Sequence, residues 1–170
     1  ITTKSPIILR DLELLRELKK RHRLRVNVTI TCLDTKLARR IEGHAPTPPA
    51  RMRTVKKLAD AGIYTTVFCM PIMPSINSGE DILGPLFQAA RRAGARNILP
   101  NALYLRKEIR EPFLQWLEEE FPELAPLYGR LYSGRSYLPR AEQEKLLGDF
   151  RKLKAEFDFG GRPGSPQKES

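Results

Sequence analysis

A handful of polar side chains in this sequence have the types and spacing to act on a bound ligand. Lys4 follows a short strand-like start, where its ammonium could meet a carboxylate or phosphate, or be an ordinary exposed lysine. Thr29 and Thr31 alternate with Val28, Ile30 and Cys32 in LRVNVTITCLD, so both hydroxyls share one strand face with Asn27. They could hydrogen-bond the hydroxyls of a ligand, although threonine is also common in strands for packing reasons alone. Glu42 and Arg51 flank a Pro-rich loop. Arg51 falls in the first turn of a helical segment, where a cation opposes the helix dipole, so a carboxylate partner is expected. A Glu42–Arg51 salt bridge is the plain reading.

Self-sufficient catalytic constellations are missing. The sequence holds no G-x-S-x-G elbow, no H-E-x-x-H and no G-x-x-x-x-G-K-[ST] phosphate loop. His22 lies at a basic helix end and His44 in the Pro-rich loop, and neither reads as a metal ligand. Cys32 and Cys69 each end a strand-like segment. Two isolated thiols give neither a disulfide framework nor a metal spacing, and read as buried core cysteines. Any chemistry must therefore come from a bound cofactor or from residues outside this chain.

The elements that position these groups alternate regularly. Residues 1–4 read as the end of a strand, Ser5-Pro6 as a turn, and 11–21 as a helix capped by Asp11, with Leu12, Leu14, Leu15 and Leu18 forming its apolar stripe. Strand 24–34 follows, then a helix over 35–41 capped by Asp34, and a helix from Pro48 to about Ala61 capped by Thr47 and closed by Gly62. A strand over 63–70, a helix capped by Ser78 that ends near Ala93, and a strand-like run over 96–105 complete a β-α-β-α-β-α-β order. That order fits half of a (βα) barrel or a doubly wound sheet, with the active face at the carboxyl ends of the strands. The polar face of the central strand then lines either solvent or a ligand-holding lumen. Beyond it, 111–120 reads as a helix with a fraying EEE end. The Pro/Gly-broken stretch FPELAPLYGRLYSGRSYLP reads as a lid or connector, and 140–157 as a last helix.

At 170 residues with 41% hydrophobic content the chain fits one folded domain. It has no 18-residue apolar run and no signal-peptide pattern, so a cytoplasmic location is the default expectation. The net charge of +10 is uneven: residues 1–60 carry 15 Lys+Arg against 6 Asp+Glu. This basic third either attracts nucleic acid or another polyanion, or is solvated helix surface. Ile1 stands partway along a strand, so the chain reads as the carboxy-terminal part of something longer.

The ordered set TTKSPIILRDLELL, VTITCLDTKLARRIEGHAPTPPARMRTVKKLADAGI and VFCMPIMPSIN resembles the radical S-adenosylmethionine enzymes, within them the branch related to spore photoproduct lyase. The likeness covers about residues 2–105. It implies a partial (βα)6 barrel whose lumen binds S-adenosylmethionine beside a [4Fe-4S] cluster, the pair yielding a 5′-deoxyadenosyl radical. Residues 1–108 would be the carboxy-terminal part of that barrel, 109–158 a helical extension and 159–170 a disordered tail. By position Lys4 would sit near the methionyl carboxylate, supported by Arg51. Thr29 and Thr31 would reach the ribose hydroxyls, and Asn77 would be a structural turn residue. The family's C-x3-C-x2-C cluster motif is absent, and Ser75 stands where glycine is usual. The resemblance therefore implies an upstream segment of the same protein as partner, carrying the cluster cysteines, and a fragment inactive alone. The competing reading is a basic nucleic-acid-binding α/β module without catalysis; a cofactor-independent phosphate-binding domain is weakened by the missing glycine-rich loop.

Overall fold

The structure, a computed structural model, describes residues 1–159; of the tail expected over 159–170, residues 160–170 lie outside the described residues. Four strands form one parallel sheet in the order β1-β2-β3-β4: β1 (Thr2–Thr3), β2 (Arg25–Thr29), β3 (Tyr64–Ile72) and β4 (Asn97–Ala102). Spatial order follows chain order without a reversal, so every crossover steps in the same direction. Right-handed crossovers of that kind set their helices on one face of the sheet. The doubly wound alternative requires a reversal of strand order, and these four strands have none.

The crossovers are α1 (Leu12–Arg21), α2 (Thr35–Ile41) with α3 (Pro48–Asp60), and α4 (Glu80–Arg92). Val26 and Val28 of β2, with Ile30 just after it, join Val67, Cys69 and Ile98 against Leu15, Val55, Leu58, Leu86 and Phe87 of these helices in one buried cluster. The alternation in the sequence thus decided which face of β2 is covered. Register places Asn27, Thr66 and Asn97 side by side on the opposite face, with Thr29, Phe68 and Leu99 in the next row.

Local signals were partly redirected. Asp34 caps α2 as expected, its Oδ1 accepting from the backbone N–H of Lys36 at 2.7 Å and of Leu37 at 3.0 Å. Asp11 and Thr47 make no capping hydrogen bond. Ser5 instead caps a 3-10 turn over Pro6–Asp11, where a simple turn was expected. Ser78 does not cap α4, because its Oγ accepts from the Ser75 backbone N–H at 3.1 Å; Gly79 holds the cap position. That bond steadies Ser75 at φ 60, a left-handed conformation that glycine adopts more readily than serine. In α1 only Leu15 is buried; Leu14 and Leu18 of the expected stripe are exposed.

The carboxy-terminal part departs most from expectation. α5 (Lys107–Glu120) begins four residues before the expected Glu111, and its acidic end is held: Glu120 pairs with Arg40 at 2.7 Å. The stretch read as lid or connector forms a 3-10 turn and α6 (Ala125–Leu131). Its buried Tyr128 and Tyr132 donate from their hydroxyls to the carbonyls of Pro74 and Leu103, each at 2.9 Å. With Met73, Ile76, Leu105 and Leu117 they build a second apolar cluster that anchors the segments following β3 and β4. This region is a fixed buttress. α7 (Arg140–Ala155) lies along β4 and α4, where Phe150 meets Phe87 edge-on at 4.8 Å. No helix among the described residues is long and apolar enough to cross a membrane.

Candidate functional site

The carboxyl ends of the strands gather the residues singled out above, and Glu42 is their hub. It occupies the C-cap of α2, where a negative charge opposes the helix dipole, while Arg51 opposes the dipole in the first turns of α3. Each offsets the other. Arg51 Nη1 lies 2.6 Å from Glu42 Oε2, and Lys4 Nζ lies 2.7 Å from Glu42 Oε1. The Arg51 side chain is 2% exposed, that of Glu42 8% and that of Lys4 50%. Two cations thus share one buried carboxylate, leaving one positive charge in excess, and that charge reaches solvent through Lys4.

Arg51 does more than pair. Its Nη1 donates to the Thr29 carbonyl at 3.0 Å and its Nε to the Pro46 carbonyl at 2.7 Å. The guanidinium therefore ties α3, the Pro-rich loop and the end of β2 into one unit. A small crevice lies beside it, walled by Thr35, Ala38, Ala45 and Thr47. Asn77 fastens the loop after β3 in a similar way, as the turn role implied. Its Nδ2 donates to the carbonyls of Thr31 at 3.3 Å and Pro71 at 3.1 Å, and its Oδ1 accepts from the Met73 backbone N–H at 2.7 Å.

Thr29 and Thr31 are buried, at 7% and 1% exposure, and the Thr31 hydroxyl has no nitrogen or oxygen partner. Such a group costs stability unless something else satisfies it. The row below repeats the pattern. Asn27 Nδ2 donates to Thr2 Oγ1 at 3.1 Å and Lys154 Nζ to Asn97 Oδ1 at 2.6 Å, yet Thr66 Oγ1 and Asn27 Oδ1 have no partner. Burial lowers the pKa of Lys154. Sequence reasoning missed Thr66 and the Lys4–Glu42 contact. The first was legible in the alternation of YTTVFCM; the second joins residues 38 positions apart and had no local signal.

The cysteines are buried as read. Burial pushes the Cys32 thiol up to about 11, the Thr31 hydroxyl opposing in part, and pushes Cys69 up to about 12. Neither favours the thiolate that ligates metal. Among the described residues no group of three His, Cys, Asp or Glu side chains could hold a metal ion. The present residues do not fit an iron–sulfur cluster.

No family model matches the chain. It is similar to uncharacterized proteins of Mycobacterium tuberculosis and Mycobacterium bovis, each 31% identical over 172 residues, covering 100% of this chain and 51% of the relative. The chain thus spans about half the length of these curated relatives. An uncharacterized protein of Methanocaldococcus jannaschii is 34% identical over 84 residues, 49% of this chain and 31% of that protein.

Proposed function

We propose that this chain is the S-adenosylmethionine-binding portion of a radical S-adenosylmethionine enzyme related to the spore photoproduct lyase branch, its sheet forming an arc of a partial (βα)6 barrel. The observation that carries the reading is the convergence, at the carboxyl edge of a singly wound parallel sheet, of a net positive Lys4–Glu42–Arg51 cluster with the buried Thr31 hydroxyl, which has no nitrogen or oxygen partner. A carboxylate needs a cation that is charged and accessible, which Lys4 supplies. A ribose offers hydroxyls that can satisfy Thr31, with Thr29 beside it. Arg51, enclosed by Glu42 and two carbonyls, acts as a positioning residue that keeps Glu42 under Lys4. Lys4, Thr29 and Thr31 would hold S-adenosylmethionine, which, beside a cluster held by residues outside this chain, would supply radical chemistry. The cluster ligands lie in polypeptide outside this chain, in keeping with relatives about twice as long, and the chain is inactive without them.

Calorimetric titration with S-adenosylmethionine tests the reading. The chain is expected to bind it, and Lys4→Ala to weaken binding about tenfold, the worth of one charged hydrogen bond. Absence of binding, or an unchanged affinity in Lys4→Ala, refutes the assignment. So does an upstream reading frame without three cysteines spaced C-x3-C-x2-C.

A further inference from the structure

The polar face of the sheet carries a row that the cofactor assignment does not use. Register sets Asn27, Thr66 and Asn97 side by side on adjacent parallel strands, about 4.8 Å from one strand to the next. The row lies ~13 Å from Thr31 along the chain, towards the amino ends of the strands. Thr66 is fully buried and its hydroxyl has no partner, and neither has Asn27 Oδ1. Asn27 and Asn97 are half-buried on either side, so the row reaches solvent through them. Lys154 of α7 joins it from the β4 side, its Nζ 2.6 Å from Asn97 Oδ1.

The ammonium lacks a countercharge. Lys154 pairs with no carboxylate among the described residues, and Asp158, the acid one helical turn further on, is engaged by Arg91 at 3.2 Å. Burial disfavours the charged form of Lys154, so an anion beside it would offset that cost. Arg25 and Arg96, exposed beside the amino ends of β2 and β4, add to the positive potential there. Asn27 can face the row as a donor. Its amide holds Thr2 Oγ1 at 3.1 Å, and a hydroxyl donates as readily as it accepts. A half-turn of the amide therefore keeps that bond and turns Nδ2 to the row. The row then presents two neutral donors and one cation. Water satisfies the donors but brings no negative charge, and a doubly charged phosphate exceeds the single ammonium. A carboxylate matches both, with one charge and two oxygens to share between Nζ and the donors beside it. In the next row on this face Phe68 and Leu99, both half-buried, offer an apolar surface.

We infer that Asn27, Thr66 and Lys154, with Asn97 steadying the ammonium, form a binding site for a monocarboxylate whose apolar body lies over Phe68 and Leu99. A buried hydroxyl without a partner costs the free protein stability, and the carboxylate removes that cost. The inference goes beyond the proposed function and does not rest on it. No cofactor takes part, and the cation is Lys154 rather than Lys4.

Sodium hexanoate titrated into the isotope-labelled 170-residue chain, without S-adenosylmethionine and against sodium chloride at equal ionic strength, tests it by NMR. The side-chain amide signals of Asn27 and Asn97 are expected to shift saturably with hexanoate and not with chloride. Acetate, which has the head without the body, is expected to bind about tenfold more weakly, the worth of roughly two buried methylene groups. Inorganic phosphate is expected to bind more weakly than hexanoate. Lys154→Met keeps the stem without the charge and is expected to abolish saturable binding. Thr66→Val keeps the shape without the hydroxyl and is expected to weaken hexanoate about fivefold, with the thermal stability of the free chain not lowered. That variant decides the matter where Lys154→Met fails to fold. Equal responses to hexanoate and chloride, phosphate binding as tight as hexanoate, or wild-type affinity in Thr66→Val overturns the inference. So do shifts that gather at Lys4 and Thr31, which would place the carboxylate at the cofactor site instead.

Discussion

Glu42 carries a negative charge at the wrong end of its helix and Arg51 a positive charge at the wrong end of the next. Their pairing turns two local penalties into one joint between α2, α3 and β2. Breaking a buried ion pair on one side leaves an uncompensated charge, which typically costs ~3–5 kcal/mol. Glu42→Gln is therefore expected to lower unfolding stability by about 3 kcal/mol in urea, whereas Lys4→Ala, half exposed, is expected to shift it by less than about 1 kcal/mol. Similar losses in both variants would show that Glu42 serves Lys4 as much as Arg51. The Glu42–Arg51 pair was legible because a cation at a helix start asks for a partner. Lys4 was placed at a strand end, but its partner was not foreseen: the contact spans β1 and α2, and only packing decides which carboxylate a long side chain meets.

At the scale of elements, α6 overturned an expectation. Pro122, Pro126, Gly129 and Gly134 suggested a lid or connector, and their effect on a helix in isolation is real. The tertiary contacts outweigh it: Tyr128 and Tyr132 bury their rings and find backbone carbonyls for their hydroxyls. Burial also holds both phenols above their usual pKa, so they stay donors. Tyr132→Phe leaves the Leu103 carbonyl without that donor and is expected to cost about 1 kcal/mol, measured by thermal unfolding. A neutral substitution would mean that ring packing alone fixes α6. The strands and the helices around them were easier, since alternation and caps such as Asp34 act over a few residues. Ser78 misled because two groups competed for it, and the Ser75 backbone won.

For the molecule as a whole, the two buried thiols make stability depend on alkaline pH. An unfolded thiol ionises near 9.0, whereas folding holds Cys32 protonated to about 11 and Cys69 to about 12. Above pH 9 the unfolded state binds fewer protons than the folded one, so stability falls as pH rises through that window. At pH 10 each thiol is expected to cost about 1.4 kcal/mol relative to pH 8. Urea unfolding at the two pH values reads the loss, and Cys69→Ala should remove its share of the difference. An equal drop in that variant would place the effect elsewhere.

The sequence by itself determined the alternation of strands and helices, the covered face of β2, the burial of both cysteines and the Glu42–Arg51 pair. Each of these follows from periodicity, capping or charge within a short stretch of chain. Only the tertiary structure decided that the strands wind one way without reversal, that Thr66 joins the polar face, that α6 is a buttress, and that Lys154 reaches Asn97. Those outcomes depend on register and on contacts between residues far apart in the chain, where local propensity carries no information about which surfaces will be brought together.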